Sequence, residues 1–185
     1  MKSNILERYK QMPDGTYIID ITAEKVSDLY NDFDKHTPYV RKELDQDLAE
    51  YISDSARELD KENFIIQFSL PEMPEEVMKT RITRSINSYF LYLKSIELSE
   101  LGHVIRTSLI YFVIGIALLS LTVWVNMSLV TDTSVINQVF AQGLTVAAWV
   151  SLWEAIATFL VNWTPYSRKI KLYERIANTT VKFYE

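Results

Sequence analysis

Residues Thr107 to Val130 read TSLIYFVIGIALLSLTVWVNMSLV, 24 positions without a charge. About 20 apolar residues in a helix suffice to cross the hydrocarbon core of a bilayer. Leu109, Ile110, Phe112, Val113, Ile114, Ile116, Leu118 and Leu119 spread over every side of such a helix, and a helix apolar all round belongs in a large core or in lipid. Downstream, residues 133–167 hold a single charge, Glu154, and apolar density peaks between Val139 and Val161, which predicts a second span over 135–163. The short connector 131–134 makes the two spans antiparallel neighbours. A buried hairpin in a water-soluble protein is the competing reading, but a chain of 185 residues is too small to cover two such helices on all sides.

Charge orients the hairpin. Arg81, Arg84, Lys94 and Arg106 precede the first span, Arg168, Lys169, Lys171 and Arg175 follow the second, and the connector holds only Asp132. Positive charge stays inside, so the expected protein is multi-pass in the inner (cytoplasmic) membrane with both termini cytoplasmic. Trp124 and Asn126 at one end, and Trp163 and Tyr166 at the other, match aromatic belts. Met1–Gln11 contains Lys2, Glu7, Arg8 and Lys10, too much charge for the apolar centre of a signal peptide.

The rest of the chain reads as a small soluble domain. A turn at Pro13, Asp14 and Gly15 precedes an alternating strand, Thr16 to Thr22, and Phe64 to Leu70 alternates again before Pro71. Between them lies helical sequence in two pieces divided at His36, Thr37 and Pro38. Thr37 is suited to cap the longer piece and Pro38 to open it, with a stripe of Val40, Leu44, Leu48, Tyr51, Ile52 and Leu59. Pro74 opens a third helix that runs toward the first span, and Gly102 is its one plausible hinge. Arg168 to Ala177 reads as helix and Thr180 to Tyr184 as a strand able to join the other two. The expected fold class is therefore an α-helical membrane protein: a two-helix transmembrane hairpin with a small α+β cytoplasmic domain of two or three strands and three helices. Its boundaries are 1–73 for the domain, 74–106 for an amphipathic helix or stalk, 107–130 and 135–163 for the spans, 131–134 for the external turn, and 164–185 for a cytoplasmic tail with a strand at 180–184.

Composition excludes several chemistries. Residues 1–100 hold 13 Lys and Arg against 20 Asp and Glu, while residues 101–185 hold 6 against 4. An acidic soluble half lacks the clustered cations that neutralise phosphates, so no nucleic-acid partner is expected. With no cysteine, thiolate metal sites and cysteine nucleophiles are absent. The glycines at 15, 102, 115 and 143 are too scattered for a phosphate-cradling loop, and no serine or threonine sits in a nucleophile-elbow context. Asp28, Asp32, Asp34 and His36, with Asp45 and Asp47, offer oxygen ligands but lack the central glycine and terminal glutamate of a calcium loop. Helix capping explains these acids more simply. His36 and His103 show no metal-ligand spacing. No catalytic, cofactor-binding or metal site is expected, and the chain reads as a non-enzyme.

Two features of the hairpin invite function. Gly143, Ala147, Ser151 and Ala155 recur at steps of four, a small-residue face along which another helix can approach, and Gly115 offers a gap on the first span. Glu154 lies nine residues inside Trp163, about 13 Å along the helix. Its depth matches Gly115, which places Tyr111, Ser120 and Thr158 in reach as polar neighbours. A charge at that depth costs roughly 3 kcal/mol on insertion. It serves either as an ion or proton site or one carboxyl of a ring lining a pore, or as a protonated, hydrogen-bonding link to Thr158 or to a neighbouring helix.

The run Leu29-Tyr30-Asn31-Asp32-Phe33-Asp34, then Leu44 and Tyr51-Ile52, and above all Gly143-Leu144, Ala148-Trp149-Val150-Ser151-Leu152-Trp153 and Trp163-Thr164-Pro165, resemble a family of short prokaryotic membrane proteins with an acidic N-terminal domain and two C-terminal spans. The resemblance covers nearly the whole chain. It implies this architecture and brings no catalytic or binding residues with it. The expected function is a membrane-anchored, non-enzymatic protein that self-assembles through its hairpin and presents the acidic domain to a cytoplasmic protein partner as scaffold, sensor or regulatory subunit. The alternative is an oligomeric channel with Glu154 facing the lumen. Expected partners are the lipid bilayer, further copies of the chain and that cytoplasmic protein.

Overall fold

The computed structural model describes residues 5–31, 38, 42–128 and 135–184. They divide into two compact units, one made of Met1–Ile96 with Lys169–Glu185 and the other of Glu97–Arg168.

The first unit is built on a sheet of β1 (Lys10–Gln11), β2 (Tyr17–Thr22), β3 (Phe64–Ser69) and β4 (Val181–Tyr184), in that spatial order. β1 pairs antiparallel with β2 across the Pro13-Asp14-Gly15 turn, where Asp14 Oδ1 accepts from the Thr16 N–H at 3.0 Å and Gly15 adopts φ 85°. The left-handed backbone at Gly15 costs a side-chain-bearing residue energy and glycine none. β2, β3 and β4 are parallel, and parallel neighbours require crossovers. The first crossover passes through α1 (Gln46–Glu58). The second is formed by α2 (Glu76–Ser128) and α3 (Val135–Ala177), so the entire hairpin is inserted between β3 and β4.

Alternation along the strands puts Ile19, Ile21, Phe64, Ile66 and Phe68 on one face. There they share a core with Ile52, Ala56 and Leu59 behind α1, Ile82, Ile86 and Phe90 of α2, and Leu172 and Ile176 of α3. Each fully buried Ile or Phe contributes about 1.5–3 kcal/mol. Polar contacts fasten the returning chain: Lys94 Nζ lies 2.8 Å from Glu174 Oε1, Arg175 donates to the Glu62 carbonyl at 2.8 Å, and Thr179 Oγ1 donates to the Phe64 carbonyl at 2.6 Å.

The strand expected at 180–184 thus exists, and the sheet gains a fourth member that the expectation of two or three strands omitted. β1 is two polar residues long and is a strand only because β2 pairs with it. The first helical piece is reduced to a 3-10 turn at Val26–Leu29. The longer one starts at Gln46, where Asp45 Oδ1 accepts from the N–H groups of Asp47 and Leu48 at 3.0 and 3.1 Å, rather than at Pro38. Leu44 is buried through an isolated bridge with Tyr30, not from a helix, and Tyr51 is exposed with its hydroxyl donating to the Asp20 carbonyl at 3.3 Å. Asp32, Asp34, His36, Thr37 and Val40, as well as the turn 131–134, lie outside the described residues. α2 begins at Glu76 and continues through Gly102 without a break. α3 continues past 163, through Pro165, and absorbs the helix expected at Arg168–Ala177.

The second unit contains the apolar parts of α2 and α3. Both helices are long and apolar enough to cross a membrane, with windows of mean hydropathy 2.3 and 1.7. Only 17% and 11% of those windows are buried within the protein, where a core helix of a soluble domain would be mostly covered.

Candidate functional site

The hairpin seam repeats at steps of seven, and beyond Leu101 its buried members are small. On α2, Leu101, Ser108, Gly115 and Thr122 are buried, and on α3 Ala141, Ala148 and Ala155. A seven-residue step returns to nearly the same side of a helix, within about 20°, whereas each step of four turns by about 40°. The four-step series Gly143, Ala147, Ser151 and Ala155 therefore winds around α3 rather than marking one face. Ala155 faces the seam, Ser151 is half-buried beside it, and Gly143 and Ala147 face outward.

Gly115 permits the closest approach. A methyl group added there would sit 2.7 Å from Leu152 Cγ and Cδ2 and 3.2 Å from the Leu152 backbone nitrogen. Leu152, not Glu154, thus lies over Gly115. At Gly143 an added methyl group would meet nothing within 4 Å.

Glu154 is exposed, on the side of α3 turned away from α2, in angular register with Gly143 and Ala147. Thr158 Oγ1 donates to Glu154 Oε1 at 3.5 Å, a long contact. Tyr111 and Ser120 do not join this pair. Tyr111 is exposed on α2, and Ser120 Oγ donates to the Ile116 carbonyl of its own helix at 2.9 Å. The other hydroxyls behave as Ser120 does: Ser108, Thr122, Thr145 and Ser151 each donate to the carbonyl four residues earlier, at 2.9–3.0 Å. Backbone back-bonding satisfies a hydroxyl without water. A carboxylate has no such recourse, since it accepts only and every carbonyl around it accepts too.

The arrangement offers a strip with little side-chain bulk and one hydrogen-bonding group near its end. It can dock a helix and bond it. It supplies no nucleophile paired with a base, and among the described residues no cluster of histidine and carboxylate side chains is able to hold a metal. Two acids of the first unit serve local structure: Asp28 accepts from the Lys25 N–H and the Ser27 hydroxyl at 3.0 and 3.1 Å, and Asp45 caps α1. His103 is exposed.

Sequence reasoning singled out Glu154 and the small residues but missed the seam. The signal was present as the seven-residue spacing of Ser108, Gly115 and Thr122 opposite Ala141, Ala148 and Ala155. Comparison with protein-family models, with curated proteins and with solved structures finds no match to this chain.

Proposed function

We propose that this is a non-enzymatic protein of the cytoplasmic membrane that crosses the bilayer twice, self-assembles through the outward face of α3, and presents its acidic α/β unit to a cytoplasmic protein as scaffold, sensor or regulatory subunit. The placement of Glu154 carries this reading. A lone carboxyl on the lipid-facing side of a span costs roughly 3 kcal/mol, a cost that falls when the group faces another helix and finds a donor there. Beside it, Gly143 and Ala147 leave room for that helix. The low burial of both apolar helices supports the membrane location, and the cations flanking the spans support the orientation.

Mass determination of the full chain in mild detergent tests the proposal. A dimer or higher oligomer that loses affinity in Gly143→Leu and Glu154→Leu is expected, whereas a monodisperse monomer at all concentrations would falsify it. The outward carboxyl also fits the channel reading, in which a ring of hairpins turns Glu154 to a lumen. Conductance in planar bilayers that Glu154→Gln reduces would replace the scaffold with the channel.

A further inference from the structure

The geometry points to a peptide-binding groove along the outer edge of β4, which takes an extended acidic segment of a partner protein as a fifth strand of the sheet. This deepens the preceding reading by naming the chemistry of the presented unit's partner, but its observations lie wholly within that unit and do not depend on assembly.

β4 is the last strand in the sheet order. The Ile66 and Leu70 N–H groups donate to the Thr180 and Tyr184 carbonyls, both at 3.1 Å. Alternate residues of a strand aim their peptide groups at opposite neighbours, so those of Val181 and Phe183 point away from β3 into the open. Such an edge is a template for another strand. It is also the floor of a groove of about 730 Å³ whose opposite wall is one face of α2, including Glu76, Lys79, Thr83 and Arg84. That volume lies within the ~300–1,000 Å³ range of ligand sites.

Charge selects the occupant. Glu76 bonds Lys79 at 2.8 Å, while Arg84 of α2 and Lys182 of β4 make no hydrogen bond or ion pair among the described residues. Arg84 is thus uncommitted, and Lys182, which acts on Asp14 only through space, keeps its N–H donors, so this edge carries two available cations on a chain of net charge −5. Lysine on a short edge strand repels the edges of other copies, which disfavours a second β4 as occupant. The same lysine attracts a strand rich in Asp or Glu. Backbone pairing would hold such a segment, with side chains of one parity facing Arg84 on the helix side of the sheet and those of the other parity beside Lys182 on the opposite side, the mode of strand addition.

The test uses the full chain in detergent and a fluorescent hexapeptide Glu-Glu-Val-Val-Glu-Glu, which presents Glu on both faces of an added strand, with Lys-Lys-Val-Val-Lys-Lys as counter-probe. Two further versions of the acidic peptide carry N-methyl groups on alternate amides, one set in each. The expected result is saturable binding of the acidic peptide alone, abolished by one methylation pattern and spared by the other. Binding should weaken about tenfold or more in the double variant Arg84→Glu, Lys182→Glu. Equal tolerance of both methylation patterns would show association by charge without strand addition and overturn the inference. So would equal binding of the basic peptide, or no binding of the acidic one up to about 1 mM. Because the chain has no cysteine, Val181→Cys gives a clean report on the rival occupant: a spontaneous disulfide between copies would assign the edge to self-pairing instead. A monomeric protein that still binds the peptide would leave this inference standing and remove the assembly.

Discussion

Two glycines in one helix should respond to substitution with opposite sign. Gly115 lies where any side chain collides with Leu152, backbone included, so Gly115→Leu must push α2 and α3 apart or force off-rotamer packing, at about 1–3 kcal/mol. Gly102 has open space around it within a continuous helix, so Gly102→Ala gains helix propensity of about 0.5–1 kcal/mol. Thermal unfolding in a fixed detergent compares the two; a neutral Gly115→Leu would mean that the seam is not packed as described. Asp14 gives a pH-dependent counterpart in the sheet-bearing unit. The Thr16 N–H bonded to its carboxylate, with a smaller contribution from Lys182, holds its pKa below the ordinary 3.8. A carboxyl whose folded value is depressed stabilises the fold above its unfolded value and loses that contribution as pH falls through the folded one. An NMR titration should therefore place the Asp14 midpoint below 3.8, and Asp14→Asn should flatten the acid limb of the stability curve between the two values. A midpoint at or above 3.8 would contradict the turn geometry.

At the scale of elements, β4 is the piece whose loss should matter most for its size. Phe183 stacks on Phe68 with ring centroids 5.8 Å apart, and β4 covers the β3 edge that would otherwise be open. Phe183 is only partly buried, so Phe183→Ala should cost somewhat less than a full core truncation, about 2–3 kcal/mol, read as a shift in urea midpoint with unchanged slope. A change under about 0.5 kcal/mol, typical of a surface site, would mean that β4 is not docked. This strand was legible from the alternation of Val181 and Phe183, as β2 and β3 were from their own alternation and the turn before β2. β1 was not, because Lys10 and Gln11 have no pattern apart from their partner. The start of α1 was misplaced because Leu44 fits a helical stripe as well as a bridge. Only the position of Asp45, whose side chain captures two N–H groups, separates the two. The two long apolar helices were legible from composition, but the seam was ambiguous: small residues recur on α3 at both four and seven, and which set faces α2 depends on the partner helix.

At the scale of the whole molecule, the order of elements makes the sheet-bearing unit depend on the return of the chain from the hairpin. Leu172, Ile176 and Ala177 fill a core begun by residues more than a hundred positions earlier, and β4 closes a sheet whose other strands end at Ser69. A fragment of Met1–Ile96 lacks all of these and should be molten or aggregated, since the β3 edge and the core face covered by Leu172 and Ile176 are left bare. Residues 97–168 contribute none of the side chains in that core. Lys94 and Glu174 are bonded near the point where α2 leaves the unit and α3 re-enters it, so a short bridge suffices there. Replacing Glu97–Arg168 with about eight Gly and Ser residues, which span about 15 Å on average, should therefore yield a soluble monomer with a single cooperative melting transition. Circular dichroism and sedimentation check this against the Met1–Ile96 fragment. If the bridged protein remained molten while the full chain in detergent melted cooperatively, the unit would require its hairpin for folding as well as for anchorage. A sensor reading would then gain weight over a scaffold, because α2 and α3 each run without a break from the apolar unit into the core of the sheet-bearing one, where they form its second crossover.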